Sequence, residues 1–427
     1  MLDGASGFAG MIGPDGALGI DWTIWRDWAE FAVRWLHVIT AIAWIGSSFY
    51  FIALDLGLRK SPDLPPGASG EEWQVHGGGF YHIQKYMVAP DRLPDHLIWF
   101  KWEAYATWLS GFALLILVYY VGAEFYLIDL DVLDLPVWLA VLLSVASLGV
   151  GWVVYDRMCR SRLGESTTGL MLGLFALIVA MSFFYAQVFS GRAALLHLGA
   201  FTATIMSANV FFTIIPNQKI VVADLRAGRT PDAKYGRIAK QRSLHNNYLT
   251  LPVIFLMLSN HYPLAFATEH AWIIASLVFL MGVTIRHFFN SMHAGRGRPW
   301  WTWALTVAIF VALVWLSALP DRPERAEDGA TLRGTAARFA AAEGFDEVHG
   351  IVLGRCSMCH AAEPMWPGLA WAPGNVRLET EAEIARQARA IYLQAGRSHA
   401  MPPGNLTFLD PEERAAIRAW FRAASGS

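Results

Sequence analysis

Apolar stretches of about 20 residues, the length a helix needs to cross the hydrocarbon core of a bilayer, recur along the 427 residues of this chain. They run approximately over 31–54, 104–123, 136–155, 167–189, 193–215, 247–268, 271–289 and 299–319. Few folds accommodate such a pattern. Lipid offers no water to backbone N–H and C=O groups, so a spanning segment must satisfy them internally, as a helix does. Composition agrees: 55% of residues are hydrophobic and 16% charged, against about 25% charged in soluble domains. The 19 Trp residues suit rings held at membrane interfaces. A net charge of −2 and the lack of any basic run give no sign of a nucleic-acid partner.

The charges between the stretches orient them, because cytoplasmic loops carry the excess of Lys and Arg. Segment 217–243 holds Lys219, Arg226, Arg229, Lys234, Arg237, Lys240 and Arg242, and the loop after the third stretch adds Arg157, Arg160 and Arg162. Residues 124–135 carry Glu124, Asp129, Asp131 and Asp134 and no basic residue. Both termini are therefore expected outside a bacterial inner membrane. The first 30 residues show no basic region followed by an apolar core and a cleavage site, so no removable signal peptide is expected.

After Pro320 the composition changes to "DRPERAEDGATLRG", a polar linker expected over 321–344, followed by a small domain over 345–427. Its "GRCSMCH" places Cys356, Cys359 and His360 in a C-x-x-C-H arrangement, the attachment signature of a c-type haem. Zinc binding and thiol redox chemistry are the other readings of such a pair. Cys159, the third cysteine, is expected to be a free thiol. "FDEVHGIVLGRCSMCH" reads as a helix running into the haem site, and Thr380 and Asp410 read as N-caps of two more helices. Met401, in "SHAMPPGN", offers a thioether opposite His360, with Met365 as the rival sulfur; Met/His ligation raises a haem's potential. The fold expected is all-α: a polytopic eight-helix transmembrane bundle over 1–320 followed by a class I cytochrome c domain on the periplasmic side.

Ionisable and amide side chains inside spans are expensive and so mark function. Arg34, His37 and His197 lie toward the outside; Lys101, Glu103, Asn209, His245, Asn246, Asn247, Arg286, His287, Asn290 and His293 lie toward the cytoplasm. Asn209 reads equally as a polar link between helices. For His37 two readings stand side by side: an interhelical hydrogen bond, or an axial ligand to a haem b in the membrane domain.

"WLHVITAIAWIGSSFYF" (Trp35 to Phe51), "MSANVFFTIIPNQ" (Met206 to Gln218), "HNNYLTLPVIFLMLSNHYP" (His245 to Pro263) and "SHAMPPGN" together resemble the membrane-bound, cytochrome c-linked urate oxidase/hydroxylase family. The resemblance implies oxidation of urate to 5-hydroxyisourate, with electrons leaving through the haem c to a soluble cytochrome c or terminal oxidase and no hydrogen peroxide formed. More faintly, the first stretch resembles the histidine-bearing helix of membrane haem proteins of the protoporphyrinogen-oxidase type. Under this reading His245, Asn246, Asn247, Arg286 and Asn290 supply donors and acceptors for the urate monoanion, and His245 or Glu103 serves as general base. A site in the outer half near Arg34 and His197 is the other placement. The competing function is a quinol-fed membrane electron carrier without urate chemistry.

Overall fold

The computed structural model describes residues 22–86, 93–129, 132–319, 332, 334–367, 369, 372–373 and 376–425. Helix α1 spans Trp22–Gly57, followed by an antiparallel hairpin of β1 (Ala68–His76) and β2 (Gly79–Tyr86). Helix α2 (Trp102–Leu114) continues as a π-helical segment to Tyr120, and α3 is a short Ala123–Tyr126 turn. Then come α4 (Val137–Arg160), α5 (Thr167–Val188) and α6 (Gly191–Ala208). A π-helical segment, Asn209–Ile214, joins α6 to α7 (Ile215–Arg226). Helices α8 (Ala233–Leu258), α9 (Pro263–Phe266), α10 (Ala271–His293) and α11 (Trp301–Ser317) complete the first part. The C-terminal part holds α12 (Gly334–Ala340), α13 (Phe345–Arg355), α14 (Glu381–Arg386), α15 (Ala388–Ile391) and α16 (Pro411–Ser425).

Among the described residues six helices are long and apolar enough to cross a membrane: Trp25–Gly57, Trp102–Tyr120, Val137–Arg160, Thr167–Val188, Gly191–Arg226 and Ala271–His293. Helix α11 is apolar but shorter. Helix α6 is central, packed by α4, α5 and α8 around a core that includes Leu198, Phe201, Ile205, Tyr155 and Tyr185. Helix α1 lies at the edge, against α2 and α10, and leaves Trp28, Phe31, Trp35, Ile39 and Ile42 exposed. Apolar patches of this extent mark a surface that meets something other than water.

Three expectations are corrected. The chain is not all-α, since the segment 57–101 contains the hairpin. Its Trp73 stacks on His82 at 4.2 Å, and His82 bonds Glu71 at 2.6 Å, so local side-chain pairs fix it. The polar segment 217–243 is largely helical: α7 runs on to Arg226, and α8 begins at Ala233, where the Asp232 carboxylate accepts the Lys234 N–H at 2.8 Å. This is an N-cap at the foot of a helix whose first half is polar. Finally, the stretch expected over 247–268 breaks at a tight turn, Ser259–His261. Pro252 lies inside α8, where it removes a helix hydrogen bond; α10 packs there through Gly282, whose Cβ, if present, would fall 2.5 Å from the proline ring.

The C-terminal part has its own core of Phe339, Phe345, Val348, Val352, Ile384, Tyr392, Ile417, Trp420 and Phe421. Phe339 falls inside the expected linker, so structure begins before residue 345; residues 320–331 lie outside the described set. Both expected N-caps are present as capping boxes: Thr380 Oγ1 accepts from Glu383 N at 3.2 Å, and Asp410 Oδ1 accepts from Glu413 N at 2.8 Å. This part seats on one end of the helical bundle. Arg389 pairs with Asp27 at the start of α1 at 3.2 Å, Thr335 bonds Glu124, and the Phe125 and Phe339 rings lie 6.2 Å apart.

Candidate functional site

The run His245-Asn246-Asn247 turns through about 100° per residue on a helix, so it cannot present one face. It divides between two sides of α8. On one side, His245 Nδ1 lies 2.7 Å from the Tyr155 hydroxyl. Asn246 receives Asn209 Nδ2 at 3.0 Å and donates to the Met206 carbonyl at 2.9 Å. Asn209, fully buried, also donates to Tyr155 at 3.2 Å and accepts from Arg242 at 3.2 Å. Arg242 is 2% exposed and donates to Asp156 at 2.7 Å; Arg160 closes on the other oxygen of the same carboxylate at 2.7 Å. Here the buried cation, Arg242, has a counter-ion, and a polar hub ties α4, α6 and α8 together.

On the other side of α8 the balance differs. Asn247 Oδ1 accepts from Asn290 Nδ2 at 2.9 Å and from Arg286 Nε at 3.4 Å, and Arg286 Nη2 donates to Asn290 Oδ1 at 3.1 Å. The guanidinium sits 4.2 Å from the centre of the Phe49 ring on α1. Arg286 is buried, yet among the described residues no carboxylate pairs with it. Asn247 Nδ2 is buried and has no hydrogen-bond partner there. A buried cation without a counter-ion is costly, and a buried unpaired donor adds about 1–3 kcal/mol. Together they set a buried unpaired donor beside one unmatched positive charge on an aromatic ring, donor chemistry suited to a planar anion edged with carbonyl oxygens.

The structure thus separates residues that the sequence analysis grouped. His245 is not bonded to the Arg286 group; it belongs to the Tyr155 hub, where its Nε2 is buried and unpaired. Arg286 and Asn290 share a face, whereas His287 turns to Tyr248 at 3.3 Å. Glu103 stands in the first turn of α2. The neighbouring Ala104 carbonyl accepts from Ser207 at 3.3 Å, which sets Glu103 near the depth of the hub, but no hydrogen bond carries its carboxylate into either group. Tyr155, Asp156, Asn209 and Arg242 are the members sequence reasoning missed or undervalued. The missing signal was pairing: Arg242 reads as a loop charge until Asp156 is seen opposite it.

Of the residues expected toward the outside, His197 is fully buried and both nitrogens are used, by the Ala193 carbonyl at 2.7 Å and Ser144 Oγ at 2.8 Å. Arg34 pairs with Glu30 at 2.5 Å. His37 makes the interhelical bond that was one of its two readings, its Nδ1 lying 3.0 Å from the Thr107 carbonyl and 3.1 Å from Ser110 Oγ. It packs against Gly111, where a Cβ would fall 2.8 Å from Cε1. Rings fill the core above: Phe201 to Tyr185 at 6.4 Å, Tyr185 to His197 at 5.8 Å, His197 to Tyr119 at 5.6 Å and Tyr119 to Tyr126 at 6.3 Å. Tyr126 is the residue over which Arg389 of the C-terminal part lies, at 6.0 Å.

In the C-terminal part, α13 ends where Cys356 begins the motif, and both cysteines are free thiols. His360 Nδ1 lies 2.7 Å from the Val376 carbonyl; donating there fixes the tautomer and leaves Nε2 as a lone-pair donor for iron. Met365 is 85% exposed, while Met401 packs against the domain core. The buried Arg414 holds the Met401 loop, donating to the carbonyls of Ala395 at 2.6 Å and Met401 at 3.0 Å and to Asn405 Oδ1 at 3.3 Å. Burial pushes the Cys356 thiol up to about 11. No group of three or more His, Cys, Asp and Glu side chains converges anywhere among the described residues, as a protein-held zinc would require. The two thiols, His360 Nε2 and Met401 are the residue types that would hold a thioether-bound haem.

A family model described as urate oxidase N-terminal matches residues 23–317. No curated protein and no solved structure matches the chain.

Proposed function

From the premise that this chain belongs to the urate oxidase N-terminal family, and is thereby a urate-related oxidoreductase, we propose that it is a membrane-bound, cytochrome c-linked urate oxidase/hydroxylase. In this reading the long apolar helices form an eight-span bundle in the inner membrane with both termini outside, and urate binds as a monoanion at Arg286. The observation that carries the reading is the buried, uncompensated guanidinium of Arg286 beside the unpaired Asn247 Nδ2.

Urate and water give 5-hydroxyisourate, two protons and two electrons. Arg286 neutralises the anion and fixes one carbonyl edge, while Asn247 and Asn290 align the ring; Phe49 covers the guanidinium and keeps bulk water from its face. A c-type haem on Cys356 and Cys359 supplies one-electron acceptance when bound, with His360 and Met401 holding its iron. The seating of the C-terminal part on Asp27 and α3, with the column of rings from Phe201 to Tyr126 behind it, supports an exit on that side toward a soluble cytochrome c or terminal oxidase. His37 remains the candidate ligand for a haem b relay.

Anaerobic mixing of the oxidised, purified protein with urate tests the reading. Reduction of the c-type bands with 5-hydroxyisourate formed is the expected result. Haem left oxidised by urate but reduced by a quinol would overturn it in favour of an electron carrier.

A further inference from the structure

A cavity of about 330 Å³ opens between the end of α1, strand β1 and the end of α10, with Tyr50, Ala53, Arg59, Glu72, Gln74 and His293 in its lining. Its size falls in the range of small-molecule sites, about 300–1,000 Å³. It is continuous in sequence position with the anion site. Arg286, Asn290 and His293 are at i, i+4 and i+7, one stripe of α10, so His293 stands about 10 Å along the helix axis from Arg286. On α1, Phe49 covers Arg286 and the next residue, Tyr50, lines the cavity.

We propose that this cavity is the cytoplasmic mouth through which a planar, oxo-edged anion of the purine type reaches Arg286. The hairpin forms the rim of that mouth, and the proposal rests on the substrate reading above. Three observations carry it. The lining is polar and ordered: the Tyr50 hydroxyl donates to Gln74 Oε1 at 2.8 Å, and Gln74 Nε2 donates to Glu72 Oε1 at 2.8 Å. This chain orients the Glu72 carboxylate and leaves Arg59 and His293 as the groups that meet an anion. The rim is fastened to α1, since Arg59 and Glu71 exchange both backbone hydrogen bonds at 2.9 Å and Lys85 pairs with Asp55. The hairpin is thereby fixed at its base, and near its tip Val75 and Phe80 are exposed. In the orientation set by loop charge, this end faces the cytoplasm, opposite the C-terminal part.

The test uses the full-length haem-loaded protein in vesicles of defined sidedness, with Cys159→Ser as background. An Ala53→Cys thiol should react with a charged, membrane-impermeant maleimide from the cytoplasmic side alone, and urate should slow that reaction at least threefold. Ala53→Trp, which fills the mouth, should lower kcat/KM for urate at least tenfold with haem content unchanged, and Arg59→Glu should lower it three- to tenfold at low salt. Labelling from the outer side, or no protection by urate together with wild-type kcat/KM in Ala53→Trp, would overturn the mouth. If Arg286→Ala then still abolished urate turnover, the substrate site would stand without this entrance. If both variants turned over urate normally, the substrate site itself would fall.

Discussion

Two buried arginines in this protein make opposite demands, and a paired perturbation separates them. Arg242 is matched by Asp156 at 2.7 Å, so Asp156→Ala leaves a guanidinium stranded in the core. Breaking one partner of a buried pair costs about 3–5 kcal/mol, on the order of a 5–10 °C fall in Tm, and Asn209 loses an anchored donor with it. Arg286 has no carboxylate to lose. Arg286→Met removes an uncompensated charge, which offsets the two amide bonds given up to Asn247 and Asn290. Unliganded stability should therefore stay within about 1 kcal/mol of wild type. Urate binding should suffer instead: losing a desolvated charge-assisted contact worth about 3 kcal/mol or more lowers affinity roughly 100-fold. Thermal unfolding in detergent, run with and without urate, reads both quantities, since a ligand stabilises the folded state by RT ln(1 + [L]/Kd). If Arg286→Met unfolded like Asp156→Ala and kept its urate shift, Arg286 would be a structural residue and the argument from unmatched charge would be wrong.

Replacing Met401 with His should keep the haem and lower its reduction potential, because the thioether is what raises it; Met365→Ala should leave the potential unchanged, and a redox titration distinguishes the two. His37→Ala should remove any b-type absorbance while sparing the c-type bands; a spectrum without change would assign His37 to its bonds with Thr107 and Ser110 alone. Arg389→Glu should slow haem reduction by urate and make it more dependent on salt, since it reverses the partly buried pair with Asp27; stopped-flow traces at two ionic strengths would show it. Tyr155→Phe should cost about 1–3 kcal/mol by stripping His245 Nδ1 and Asn209 Nδ2 of a partner in the core, measured by thermal unfolding, with urate affinity near wild type.

Local sequence determined a good deal about this protein. Apolar runs fixed where the long helices lie, because segments of that length and composition have few ways to satisfy their backbone. Thr380 and Asp410 announced their helix starts, since a cap is a contact between residues three apart. The C-x-x-C-H run is a pattern contained within five residues, which is why it could be picked out, and the haem it suggests stays a proposal. The hairpin of 68–86 went unread because its pairs, Trp73 with His82 and Glu71 with His82, bridge two strands before a register is known.

What only the tertiary structure decided is which charges meet. Arg242 and Arg286 look alike in sequence, each a basic residue near polar neighbours; one finds Asp156 on another helix and the other finds Phe49 and two amides. His245 and Asn247 stand two positions apart, yet the helix sends them to opposite sides of α8, so one serves the Tyr155 hub and the other meets Arg286 and Asn290. Likewise His197 looked like a candidate until Ser144 and Ala193 were seen to use both its nitrogens. Helical periodicity gives a residue its direction, but what lies in that direction belongs to another helix, and the cost of a buried charge is set by that neighbour.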